Sequence, residues 1–262
     1  MSPVFDSHCH LDPRAFDDAA GIDAAVARAK DAGVLRMVTI GSGYGADTAR
    51  AAVDVAARND GVWATVGVHP HDAKLWDDAM DDAVQSLAKR DKVVALGEMG
   101  LDFHYDNSPR DVQRTVLRRQ LALSRELDLP VVIHDRESAD ETLEILLAER
   151  AFEGKGVLFH CYSGDVATMR RIVEAGGYVS IPGIVTFKKA DTMRAVARET
   201  PPDRLLVETD SPFLTPIPFR GKRNEPAYVV HTVAAIAAER GETPDAIARL
   251  TWDNASRFFG VS

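Results

Sequence analysis

Near the N-terminus, Asp6-Ser7-His8-Cys9-His10 places two imidazoles two residues apart. On an extended strand alternate residues share a face, so Asp6, His8 and His10 are expected to project together, with Ser7 and Cys9 turned away. Two imidazoles on one face can chelate a cation; an isolated pair of this kind is more often a pair of satisfied histidines in a core. The rest of the chain changes that balance. His69, Glu98, His134, His160 and Asp210 each end, or directly follow, a different β-rich run. Crowding that many polar groups at strand ends is costly unless they bind ions. Imidazole and carboxylate ligands suit Zn, Mn, Fe or Mg, and with only Cys9 and Cys161 present a thiolate zinc cage is excluded. Alternation turns both thiols outward, as buried free cysteines.

The elements that must position these groups follow from the apolar pattern. Eight short runs read as strands: Val4–His10, Leu35–Ile40, Trp63–His69, Val93–Glu98, Pro130–His134, Gly156–His160, Tyr178–Ile181 and Leu205–Thr209. Several are continuous Val/Ile/Leu stretches, as parallel strands covered on both faces require. Helical periodicity fills the gaps at Ile22–Ala32, Ala46–Arg58, Asp78–Arg90, Val112–Leu127, Ser138–Glu149, Val166–Ala175 and Thr192–Glu199, then at Pro226–Arg240 and Pro244–Phe259. Asp111 and Ser138 stand where N-caps would help, and Gly33 and Gly176–Gly177 where glycine stops would. Eight strand–helix repeats in 262 residues, with no linker or low-complexity tract, predict an α/β fold: a (β/α)8 TIM barrel forming one domain over 1–262, favoured over an open doubly wound sheet, although sequence does not show closure. In such a barrel the strand ends converge at the C-terminal mouth, where sites are built. Gly41-Ser-Gly-Tyr-Gly45 lacks the lysine and the spacing of a phosphate loop and reads as an ordinary turn between strand and helix.

The bulk properties narrow the setting. A net charge of −9 argues against coating nucleic acid through a broad basic face, though not against an enzyme that holds a phosphodiester with cations and a few arginines. No apolar run is long enough to span a bilayer, and the start carries no secretory pattern, so a cytoplasmic protein without membrane contact is expected, with a monomer as the default.

Taken together, Asp6-Ser-His8-Cys-His10-Leu11, Gly67-Val-His69-Pro70, Gly97-Glu98-Met-Gly-Leu-Asp102, His134, His160-Cys-Tyr-Ser-Gly164, Glu208-Thr-Asp210-Ser-Pro212 and Arg223-Asn224-Glu225-Pro226 resemble the TatD family of metal-dependent deoxyribonucleases, in the family's order and over nearly the whole chain. The resemblance implies a TIM-barrel metallohydrolase with two divalent ions, Mg, Mn or Zn. His8, His10, Glu98 and Asp210 would hold one, and Glu98, His134 and His160 the second, with Glu98 shared. It further implies a phosphodiester hydrolase that acts on DNA as a 3′–5′ exonuclease at single-stranded ends, with RNA as a further substrate. Hydroxide formed from a metal-bound water, whose pKa falls to about 7, would attack phosphorus.

Asp210 and Glu98 are then the catalytic candidates, Asp210 orienting the water and taking its proton. His69, stiffened by Pro70, is assigned to the substrate phosphate, as are Asn224 and Glu225 after the eighth strand. Glu225 could otherwise simply lie in the first turn of a helix. Arg136 reaches a phosphate or is a solvated loop arginine. Glu208 supports a ligand or is a buried structural carboxylate. Lys188, Lys189, Arg220, Lys222 and Arg223 guide a strand or are ordinary loop charge. The competing reading is a small-molecule amidohydrolase or lactonase using the same ions.

Overall fold

The computed structural model describes residues 2–43 and 45–262, and the predicted architecture is present. Strands β1 (Val4–Cys9), β2 (Val34–Gly41), β3 (Val62–Val66), β4 (Val93–Asp102), β5 (Val131–Arg136), β6 (Val157–Phe159), β7 (Tyr178–Ile181) and β8 (Leu205–Val207) pair in parallel and in sequential order. The ends of β1 and β8 meet through Asp210 N–H donating to His8 C=O at 2.9 Å and His10 N–H donating to Ser211 C=O at 2.7 Å. The sheet is thereby closed into a (β/α)8 barrel.

The helices form the outer layer. A short α1 (Pro13–Phe16) precedes α2 (Ala19–Asp31), followed by α3 (Ala46–Arg58), α4 (Asp78–Ala88), α5 (Arg110–Leu127), α6 (Ala139–Ala148), α7 (Val166–Glu174) and α8 (Asp191–Glu199). After β8 come a single 3-10 turn at Pro226–Tyr228, then α9 (Val229–Arg240) and α10 (Pro244–Phe259). The stripe expected in α5 is the buried one, with Val116, Leu117, Gln120, Leu121, Leu123 and Ser124 facing the strands. Residues 42, 43 and 45 connect β2 to α3; Tyr44 of the predicted turn lies outside the described residues.

The core has two parts. Apolar side chains of the outward strand faces pack against the helices, for example Val4, Val66, Leu96 and Ile133 against Val26, Val53 and Leu121. Phe5, Val38, Ile40, Ala95, Val132, Leu158, Tyr178 and Leu206 fill the interior, and Phe258 and Phe259 of α10 join them. This second cluster is a solid floor beneath the mouth. Burying each large apolar side chain contributes about 1.5–3 kcal/mol, so the barrel interior is a scaffold and not a channel.

Three local readings differ from the sequence pattern. Asp111 sits inside the first turn of α5, because Pro109 is the cap residue and starts the helix earlier. Ser138 is the residue before α6 but spends its hydroxyl on Leu101 C=O and Asp135. In β1, alternation fails. Asp6 pairs with Met37 while Cys9 pairs with Thr39, so β1 has one residue more than its partner over this stretch, a bulge. Ser7 Oγ therefore meets Ser180 Oγ at 3.0 Å inside the barrel, and Asp6 does not share the face of His8. Instead its carboxylate accepts from Thr209 N–H at 2.9 Å and Thr209 Oγ1 at 2.6 Å, tying β1 to the end of β8.

Candidate metal centre

Glu98 stands at the middle of the mouth because β4 also bulges there. Gly97 pairs with Val132 and Met99 with Ile133, leaving Glu98 as the extra residue, its side chain turned toward the barrel axis. The flanking glycines permit the close approach this needs. A Cβ on Gly97, at φ +132°, would lie 2.5 Å from Val132 O, and one on Gly100, at φ +154°, would collide with His134 O. The strand then runs on past Glu98 to Asp102, four residues beyond the predicted end, beside β5 and its His134.

Four imidazoles converge on the Glu98 carboxylate. Its Oε1 lies 2.6 Å from His160 Nε2, 2.8 Å from His134 Nδ1 and 3.4 Å from His69 Nε2, and its Oε2 lies 3.7 Å from His8 Nε2. On the β1 side, Asp210 Oδ1 is 3.2 Å from His10 Nε2 and 3.8 Å from His8 Nε2. The structure thus brings together His8, His10, Glu98, His134, His160 and Asp210, all six predicted ligands. Asp210 adopts a left-handed backbone at φ 54°, which aspartate tolerates better than most residues.

The donor set fits divalent cations. His8, His10 and Glu98 form one trio with mutually close ligand atoms, and His69, Glu98 and His134 another. Both ring nitrogens of His8 are buried without a hydrogen-bond partner. Leaving such a group unsatisfied costs about 1–3 kcal/mol, and a cation at Nε2 would remove part of that cost. Oxygen and imidazole nitrogen are the donors that Zn, Mn or Mg accept.

The electrostatics express the same crowding. Burial, then the parallel His160 ring stacked at 3.8 Å, holds the His8 pKa well below the usual imidazole value. Burial likewise takes His69 down to about 4. For Glu98 burial opposes ionisation, but His160 and His69 outweigh it and keep the carboxyl far below its usual range. For His160 burial opposes the charge, and Glu98 with Glu208 reverses that, raising its pKa.

A supporting layer holds these groups in place. Glu208, fully buried, accepts Cys161 N–H at 2.7 Å and lies 3.4 Å from His160 Nδ1. Asp102, whose role the motif reading left blank, sits 3.1 Å from His134 Nε2 and 2.7 Å from His71 Nε2. Two buried glutamines of α5 fix the loops. Gln120 both accepts from Val68 N–H at 2.8 Å and donates to Val68 C=O at 3.0 Å, next to His69, while Gln113 accepts from Asp102 N–H at 2.8 Å. Polar residues on a helix face that should be apolar were the signal for both.

The remaining predicted residues lie around this cluster. His69 accepts from His71 N–H through Nδ1 at 3.1 Å, which directs its Nε2 toward Glu98. Arg136 is exposed at the end of β5 and, among the described residues, makes no ion pair; it lines a cleft of about 680 Å³ with Phe103, Glu137, Ser163 and Gly164. Asn224 and Glu225 are not brought into the cluster. Asn224 is buried and donates to Thr209 C=O at 2.9 Å and Phe213 C=O at 2.6 Å, and Glu225 pairs with Arg28 of α2 at 2.5 Å. Cys9 is buried, as expected; Cys161 takes a left-handed backbone at φ 44° past the end of β6, where strand alternation no longer applies, and is only partly covered. No helix among the described residues is long and apolar enough to cross a membrane.

Comparison with known proteins agrees with this geometry. A family model described as TatD related DNase matches residues 5–260. The metal-dependent hydrolase YabD of Bacillus subtilis is 40% identical over 99% of this chain and all of its own length. A protein of Salmonella typhimurium named 3′-5′ ssDNA/RNA exonuclease TatD is 37% identical over 91% of this chain and 93% of its own. The crystal structure of a TatD homologue from Escherichia coli superimposes with a TM-score of 0.89 at 28% identity, covering 99% of this chain and 98% of that one.

Proposed function

The chain belongs to the TatD related DNase family of metal-dependent hydrolases, and from that premise we propose that it hydrolyses phosphodiesters, shortening single-stranded DNA from the 3′ end and acting on RNA as well. The observation that carries this reading is Glu98, one carboxylate at the mouth shared by imidazoles from β1, β5, β6 and the loop after β3. His8, His10, Glu98 and Asp210 would hold one divalent ion, and Glu98, His134 and His160 a second. Such an ion pair supplies Lewis acidity at the phosphoryl oxygens and a nucleophilic water at neutral pH.

The protein's own groups do the rest. Asp210, whose Oδ1 faces His10 and His8 at the mouth, orients the attacking water and takes its proton. His69 Nε2, 3.4 Å from Glu98 Oε1, would donate its N–H to a non-bridging phosphate oxygen of the bound strand. Arg136, unpaired and exposed, offers a bidentate donor to a neighbouring phosphate. Asn224 acts through the backbone of the 209–213 loop that carries Asp210, and Glu225 with Arg28 pins that loop's return to the helix layer. The Salmonella relative's name states the substrate and polarity adopted here.

The test is digestion of 5′-labelled single-stranded DNA, duplex DNA and RNA by the metal-reconstituted protein. Single strands should shorten stepwise from the 3′ end. Intact oligonucleotides alongside rapid turnover of amide or lactone substrates would replace this reading with a small-molecule amidohydrolase.

A further inference from the structure

Among the described residues, six large apolar side chains are exposed, and the two aromatic ones, Tyr105 at 60% and Phe213 at 59%, both stand at the mouth of the barrel. Tyr105 follows β4 and Phe213 follows β8, strands four places apart in an eight-stranded closed order, so the two residues stand on opposite sides of the mouth. Neither hangs on a slack loop. Tyr105 N–H donates to the Asp102 carboxylate at 2.8 Å; Phe213 N–H donates to Asp210 C=O at 2.9 Å and its carbonyl accepts from the buried Asn224. Each ring also makes a near-perpendicular contact with a histidine of the cluster. Tyr105 lies 5.5 Å from His71, itself on Asp102, and Phe213 lies 6.0 Å from His10.

An exposed, rigidly tethered aromatic ring gains nothing from folding alone, since most of its apolar surface stays in water. What it offers is a flat face beside the reacting centre. Unpaired nucleobases are ligands that use such faces, whatever their sequence, whereas bases inside a duplex are already stacked. Resting on the nuclease reading above, we infer that Tyr105 and Phe213 are the stacking platforms of this site, each holding an unpaired base on one side of the scissile phosphate. They are positioning residues that act by selecting single strands and fixing the backbone over Glu98. The Arg136 cleft adjoins the Tyr105 side, since Phe103 N–H, just past β4, donates to Arg136 C=O at 2.9 Å, and so leaves room for the chain to continue.

The experiment compares kcat/KM of the full-length, metal-loaded protein on a single-stranded oligonucleotide and on versions lacking one base at the terminal or penultimate 3′ position. Wild type should lose about 5- to 150-fold when the stacked base is removed. Phe213→Ala and Tyr105→Ala should each lose a similar factor on intact DNA and nothing further on the abasic strand that lacks their own partner. Phe213→Trp and Tyr105→Phe should restore both the rate and the penalty for the missing base. Equal losses on intact and abasic strands, or no loss in either alanine variant, would overturn the stacking assignment while leaving the nuclease reading in place. Failure of the wild type to cut any oligonucleotide would overturn the nuclease reading, and the stacking assignment with it.

Discussion

Glu98 is nearly fully buried and its two oxygens face imidazoles on opposite sides, an arrangement that ordinary core packing does not reward. If it is shared by two cations, Glu98→Gln should keep the shape of the site but remove a full negative charge. The expected result is at least about a 100-fold fall in kcat with weaker metal retention, measured by steady-state kinetics and metal analysis of the dialysed protein. Groups that orient ligands should matter less, by a different route. Glu208→Gln and Asp102→Asn each remove a carboxylate behind His160 or His134 and should weaken metal affinity or activity about 10- to 100-fold, as read from metal titrations. An unchanged titration in both variants would mean that these carboxylates serve folding alone. The six residues that cluster at the mouth were legible in the sequence because imidazole and carboxylate at strand ends are conspicuous. Asp102 was not, since its role depends on β4 continuing past Glu98.

At the scale of elements, two one-residue bulges decide the site. Without the bulge in β1, His8 would share a face with Asp6 in the alternation the sequence pattern predicts; with it, Asp6 instead locks Thr209. The β4 bulge aims Glu98, and its glycine neighbours make the approach to β5 possible. Gly100→Ala would drive a methyl group into the His134 carbonyl. It should cost about 1–3 kcal/mol in a denaturant melt and reduce activity further than that loss of folded protein accounts for. A contrasting change is Leu158→Ala on the floor. It should cost about 2–5 kcal/mol yet leave activity per folded molecule close to wild type, because the floor only supports the mouth. Strand and helix identities could be read from apolar runs and helical period. Bulges could not, because one extra residue leaves those runs intact while reversing which side chains face inward. Gln113 and Gln120 were visible as polar residues on the buried side of a helix, but not that they would anchor the backbone beside Asp102 and His69.

For the molecule as a whole, the barrel separates a dry floor, built from Phe5, Leu158, Leu206 and the α10 phenylalanines, from a mouth dense in ionisable groups. Closing that mouth around cations would couple metal binding to global stability. Chelation should therefore lower the melting temperature, by on the order of 5–10 °C for ions held at a hundred times their dissociation constants, and re-addition of Mn or Zn should restore it. An identical melt with and without chelator would show that the cluster is stable without ions. The eight parallel strand–helix units were legible from the repeats, which favour a barrel over an open sheet. Closure itself rests on contacts between the first and last strands, 200 residues apart, such as Ser7 Oγ to Val207 C=O, which no local pattern encodes.

The central claim is that the cluster around Glu98 is a two-cation centre, and anomalous diffraction from Mn-soaked crystals tests it most directly. Two peaks about 3.5–4 Å apart are expected, one beside His8, His10 and Asp210, the other beside His134 and His160, with Glu98 between them and the pair disrupted in Glu98→Gln. Full manganese occupancy elsewhere, with no peak among these side chains, would contradict it.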